Sequence, residues 1–283
     1  MEEKTAGERI YLPVQNAGWG WAIWRELFLE LYESRGLIWR LFLRDFSARY
    51  RQSILGILWA LILPALGVGT FVLLNRSGVL QVGNVGVPYT VYALMGLTAW
   101  HVFGGGLPVC TGSILAGGSM VVKINFPKKA LVISALGQVV FELLIRLGLL
   151  TVVMIVFRVA PSWTVVFVPM VLIPLFLFVL GLGLLLSLCN VVIRDTAGVV
   201  GVVTSFLMFL TPVVYPAGEG GLLAKISVYN PLAVLVTAFR DVALKGTLTD
   251  PAAFGWASGL SLILFLFSFR VFHIMEARIA ERI

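Results

Sequence analysis

Six stretches of this chain run for about twenty residues or more almost without formal charge, close to the length a helix needs to cross a bilayer. They are Ser53–Asn75, Tyr89–Gly112, Ala130–Phe157, Trp163–Asn190, Ala197–Pro216 and Ala253–Ile274. At 1.5 Å per residue, ~20 residues reach across ~30 Å of hydrocarbon. Backbone amides have no water to bond there, so each run must satisfy its own hydrogen bonds as a helix. The expected fold is an all-α integral membrane protein with six transmembrane helices. Pro64, Pro108, Pro169 and Pro174 fall inside the runs and are expected to kink the helices without ending them.

Charge then orients the chain. Only 12% of the 283 residues are charged, against about 25% in soluble domains. With the N-terminus inside, fifteen Lys and Arg fall on the cytoplasmic side and five outside. That bias predicts a multi-pass chain with both termini in the cytoplasm. The net charge of +7 then belongs to loops and asks for no nucleic acid. The opening MEEKTAGERIYLPVQ lacks a basic stretch followed by an apolar one, so no cleavable leader is expected. The chain divides into a cytoplasmic region (1–52), a six-span domain (53–275) and a tail (276–283). Cys110 and Cys189 lie in apolar surroundings without metal-ligand spacing and read as core residues.

The segment before the first span has its own pattern. As a helix, Trp39–Arg51 places Trp39, Phe42, Leu43, Phe46 and Tyr50 on one arc, with Arg40, Arg44 and Arg51 gathered beside it. Such a helix lies in the membrane interface, aromatics down. Its arginines serve either as snorkelling anchors or as forks for an anionic lipid headgroup. Arg49 falls on the opposite side, four residues after Asp45, where an intrahelical pair is expected. Between spans five and six, Gly218–Asp250 holds two apolar pieces too short to cross, separated by Asn230-Pro231. This predicts an external re-entrant helical hairpin, lining a pathway or serving as a cap.

No catalytic constellation is present. GxxxxGK[ST], HExxH and GxSxG are all absent. A membrane-embedded transferase would need paired carboxylates or a metal cluster, and Asp45 and Asp195 have no DxD or HxxxH partner. Glu142 and Arg146 sit four apart in span three and share a helix face, as a mutual pair or as a polar position beside a route. His101 reads as a helix-contact residue. Tyr89, Tyr92, Trp100 and Phe103 cluster around span two, as core and interfacial belt or as stacking faces for sugar rings. Small residues, among them Gly67, Gly69, Gly104–Gly106, Gly181, Gly183, Gly198 and Gly201, allow close helix approach and fit an oligomer.

Several longer pieces, in order, carry a family resemblance: RDFSARYRQSILGILWALILPAL, LTAWHVFGGGLPVCTGSILAGGSMVVKINFPKKALVISALG, NVVIRDTAGVV, FLTPVVYP and YNPLAVLVTAFRDVAL. The chain resembles the permease subunits of type-2 ABC transporters, in the branch exporting polysaccharides and teichoic acids. The resemblance implies a homodimer joined to two copies of a separate ATPase subunit, which binds the ATP and Mg2+; no cofactor is expected in this chain. It implies a cytoplasmic gate helix at Trp39–Arg51. It also implies a coupling element at Lys123, Asn125, Phe126 and Pro127, with Arg194 and Asp195 nearby in a second loop. The implied substrate is a glycan or polyol-phosphate polymer of O-antigen, teichoic acid or capsule type on undecaprenyl pyrophosphate. A type-2 permease for a small hydrophobic drug or lipid is the alternative. The family commonly carries an aromatic pair where this chain has Trp100-His101.

Overall fold

The computed structural model describes residues 21–51, 56–80, 82–83, 85–124, 126–216, 227 and 229–279. All regular structure among them is helical. Helices α1 (Trp21–Glu33) and α2 (Arg35–Tyr50) precede a short 3-10 turn (Gly56–Leu58) and α3 (Trp59–Arg76). The second run becomes α4 (Tyr89–Gly104) and α5 (Gly106–Ala116), followed by the short α6 (Ser119–Lys123) and α7 (Lys129–Val156). A 3-10 turn (Trp163–Phe167) leads into α8 (Val168–Val192), then α9 (Thr196–Leu210), α10 (Pro231–Arg240) and α11 (Pro251–Ile279).

Five of the described helical segments are long and apolar enough to cross a membrane: 56–76, 89–116, 129–156, 163–192 and 251–276. The fifth predicted run behaves differently. α9 has 15 residues, only ~22 Å of rise. Pro212 ends it early, because a residue before proline is pushed out of the helical region; Thr211 is extended at φ −113°, ψ 136°. A milder interruption splits α4 from α5 at Gly105. Pro108 has no N–H to offer the Gly104 carbonyl, so the continuous second span expected from the sequence is jointed there. Pro64 and Pro174 stay inside their helices, while Pro169 sits in the first turn of α8, where a missing N–H costs nothing.

Side-chain contacts sort the loops into two poles. Arg44 reaches Met120, Lys129 reaches Glu30, and Lys128 meets Glu276, all at one end of the bundle. At the other end Tyr89 meets Val214, Arg240 meets Val213, and Thr164 meets Val242. α8 is the central post, packed on α5, α10 and α11. Its close approaches need glycine. A methyl group at Gly183 would stand 2.6 Å from the Cys110 Cβ, and one at Gly181 would stand 3.1 Å from the Phe265 backbone. By contrast Gly67 and Gly69 on α3 and Gly198 and Gly201 on α9 have open space beside them. Cys110 is buried, but Cys189 is exposed, which corrects its reading as a core residue.

The expected hairpin is described only in part. Its first arm lies mostly outside the described residues; the second is α10, opened by Asn230, whose side chain caps the Leu232 amide at 3.0 Å with Pro231 in the first turn. α10 packs against α4, α8 and α11 and continues into one wide turn, Asp241–Lys245.

Candidate functional site

α2 carries its aromatic side chains as a ladder. Ring centroids lie 5.2 Å apart for Trp39–Phe42, 5.8 Å for Phe42–Phe46 and 4.9 Å for Phe46–Tyr50. The helical spacing of these residues puts them on one face, as expected. That face does not simply meet lipid: Phe46 docks edge-on against Phe141 of α7 at 4.8 Å. Between α2 and α7 remains an apolar cavity of about 620 Å³ bordered by Trp39, Phe42, Phe46, Gly137 and Phe141. Arg40, Arg44 and Arg51 all stand exposed. The Arg44 Nε donates to Asp45 at 2.7 Å, and the guanidinium also reaches Met120 of α6.

The pairing expected for Arg49 is therefore corrected. Asp45 is taken by its neighbour Arg44, and Arg49 turns inward to Glu142, with Nη1 2.6 Å from Oε1. The second Glu142 oxygen lies 2.7 Å from His101 Nε2. Glu142 thus ties α2, α4 and α7 together across the chain, which four-residue spacing on one helix does not reveal. Of the two readings that spacing leaves open for Glu142 and Arg146, a direct ion pair is not formed; Arg146 keeps a buried Nε without a hydrogen-bond acceptor among the described residues. Burial first, and the Glu142 carboxylate second, push the Tyr50 phenol above its ordinary pKa, so it stays a neutral donor beside this cluster.

The loop entering α7 is held from inside. Phe126, Pro127, Lys128 and Lys129 are all buried. The Lys128 amide donates to the Glu276 carboxylate, and its ammonium donates to the Phe126 carbonyl at 3.0 Å. Lys129 pairs with Glu30 of α1 and lies 5.3 Å from the Phe269 ring, on which Phe28 stacks at 6.0 Å. Lys123 and Ile124 are the exposed residues of this turn, together with Arg194 and Asp195 in the α8–α9 loop. Asn125 lies outside the described residues. The α8–α9 loop is clasped by Asn190, whose Oδ1 accepts the Ala197 amide at 3.1 Å. Lys128, Lys129 and Arg270, three of the cations that set the cytoplasmic charge bias, are all buried. The compensating Glu30 and Glu276 stand 99 and 148 positions from the lysines they meet, so no local pattern announced them.

At the opposite pole the four aromatic candidates divide. Tyr89 donates to the Val214 carbonyl at 3.0 Å. Tyr92 accepts from Arg240 at 3.1 Å, and its ring faces that guanidinium at 4.0 Å. Arg240, read from sequence as an external loop charge, is 5% exposed and also donates to the carbonyls of Pro212 and Val213. Trp100 and Phe103 pack inside the chain, 5.3 Å apart, with Phe178 beside Phe103.

This is a polytopic helical membrane protein without a metal-ligand cluster among its described residues. Arg35, Arg40, Arg44, Arg49 and Arg51 stand exposed on or beside α2. Residues 36–244 match the ABC-2 type transporter family, and the chain belongs to that family as a transport membrane subunit. Two similar proteins carry a fuller name. The O-antigen export system permease protein RfbA of Myxococcus xanthus is 27% identical over 91% of this chain and 99% of its own length. That of Klebsiella pneumoniae is 26% identical over 84% of this chain and 91% of its own length.

Proposed function

We propose that this chain is the permease subunit of an ATP-driven exporter that moves a lipid-linked polysaccharide of O-antigen type across the cytoplasmic membrane. The carrying observation is end-to-end similarity to O-antigen export permeases, on a chain whose motifs all fall within the family match. ATP and Mg2+ belong to a separate ATPase subunit, present in two copies against a homodimer of this chain. Exposed Lys123, Ile124, Arg194 and Asp195 suit that docking surface. The open small-residue faces of α3 and α9 suit contact between two permease copies. Six crossings are the topology that accounts for the two poles: α9 leaves α8 at the Asn190 clasp and ends beside Asn230 and Arg240 at the opposite one. Both termini then lie in the cytoplasm, and α10 is the returning arm of an external re-entrant hairpin.

On this reading α2 is a gate helix at the inner surface, and Arg40, Arg44 and Arg51 meet the anionic end of an undecaprenyl pyrophosphate carrier. Arg forks suit its phosphate oxygens. The test is reconstitution of the permease with its partner ATPase in liposomes. Stimulation of ATP hydrolysis and protection of the glycan from external glycosidase are then measured for lipid-linked glycans, free glycans and hydrophobic drugs. Stimulation and transport by lipid-linked glycan alone are expected. Stimulation by a drug and not by the glycan overturns the reading.

A further inference from the structure

Beneath the exposed arginines lies a second cationic feature with a defined cavity. Arg49, Tyr50, Trp59, Leu63, Glu142 and Arg146 border a space of about 230 Å³ between α2, α3 and α7. Two guanidiniums face one carboxylate there. One of its oxygens pairs with Arg49 at 2.6 Å, and the other lies 2.7 Å from His101 Nε2. Arg146 is left with a buried Nε that has no acceptor among the described residues. A guanidinium at membrane depth is costly unless it meets an anion or a row of acceptors. Glu142 also fixes the geometry: by pairing with Arg49 it holds that guanidinium at the cavity. Tyr50 adds a neutral hydroxyl donor at the rim.

We infer that this cavity is a binding site for a phosphate-type anion, held between the Arg49 and Arg146 guanidiniums with the Tyr50 hydroxyl as a third donor and Glu142 as a positioning residue. Two forks supply enough donors for the several oxygens of a phosphate, more than a halide can use. The exporter reading bears only on which lipid brings the phosphate: a pyrophosphate-linked carrier or a phospholipid of the surrounding leaflet. The site itself does not depend on transport.

The test is binding to the full chain in neutral detergent. Inorganic pyrophosphate is followed by calorimetric titration, while phosphatidylglycerol and undecaprenyl phosphate are followed by native mass spectrometry. Wild type should bind pyrophosphate saturably. Arg146→Gln should raise Kd at least about tenfold, with Arg146→Lys intermediate and Arg76→Gln, at the exposed far end of α3, near wild type. Should Arg146→Gln fail to fold, Leu63→Trp carries the same comparison, since it fills the cavity and leaves every charge in place. Retention of undecaprenyl phosphate over phosphatidylglycerol, lost in Arg146→Gln, assigns the site to the carrier; the reverse preference assigns it to a membrane phospholipid. Either order supports the site. Equal binding of all probes by wild type, Arg146→Gln and Leu63→Trp overturns it, whatever the transport assay reads.

Discussion

Replacing Gly96 with alanine should damage this protein more than a single methyl group ordinarily can. A Cβ at Gly96 would fall well under 3.0 Å from the Val213 carbonyl oxygen and from the Arg240 guanidinium. One of these is backbone and cannot swing aside. The Val213 carbonyl must retreat, and with it goes an acceptor of a guanidinium that is 5% exposed. Overpacking alone costs ~1–3 kcal/mol. Stripping acceptors from a buried charge moves the total toward ~3–5 kcal/mol. At roughly 2–4 °C per kcal/mol for a chain of this size class, the midpoint of thermal unfolding should fall by about 10 °C. The assay is a thermal melt in detergent at matched expression. Gly198→Ala, where a methyl meets nothing within 4 Å, serves as the control and should melt within about 2 °C of wild type. Arg240→Met combined with Gly96→Ala should lose less than the two single changes summed, because no charge is then stranded. A Gly96→Ala variant that melts with the control refutes the clasp between α4, α10 and the turn at Val213.

Three further outcomes follow from the same reasoning. Phe126→Ala, at a residue 5% exposed, should destabilise the chain by ~3–5 kcal/mol; Ile124→Ala, at one 54% exposed, should leave the melt unchanged and instead reduce export per ATP hydrolysed, checked by paired transport and ATPase assays. Arg44→Ala and Arg51→Ala should lower export and substrate-stimulated ATP hydrolysis, with Lys intermediate, while Arg49→Ala should also lower the melt by breaking its pair with Glu142; equal small effects at all three positions would reduce α2 to an anchor. Lys129→Met should cost ~3–5 kcal/mol by leaving the Glu30 carboxylate unpaired, and Lys129→Met with Glu30→Gln should recover part of it in the same melt.

Periodicity and run length carried the gross architecture because they are local properties. α7 spans Lys129–Val156 where Ala130–Phe157 was expected, since its boundaries depend only on where apolar residues stop. The failures are contacts over long separations. Helical spacing offers Arg49 the Asp45 carboxylate, but its partner Glu142 sits on another helix. Arg240 and Lys129 look like loop charges until distant carbonyls and carboxylates close around them. Hydropathy carries the fifth run on through Val213 and Val214, while the backbone has already turned at Thr211. Phe126 and Pro127 are buried, so Ile124 is the exposed apolar residue of that turn, beside Lys123.

The knot at the entrance to α7 imposes an order on biogenesis. Lys128 takes Glu276 as its amide acceptor, and Phe28 stacks on Phe269, so the docking surface for α1 is finished only when α11 emerges. A ribosome adding ~5–20 residues per second needs roughly 12–50 s to travel from the codon of residue 30 to that of residue 276. Until then α1 lacks its contact with Phe269, and Lys129, once made, lacks that ring's cover. A nascent chain stalled before α11 would present both to quality-control proteases, so docking of the first helix acts as a receipt that the last span has arrived.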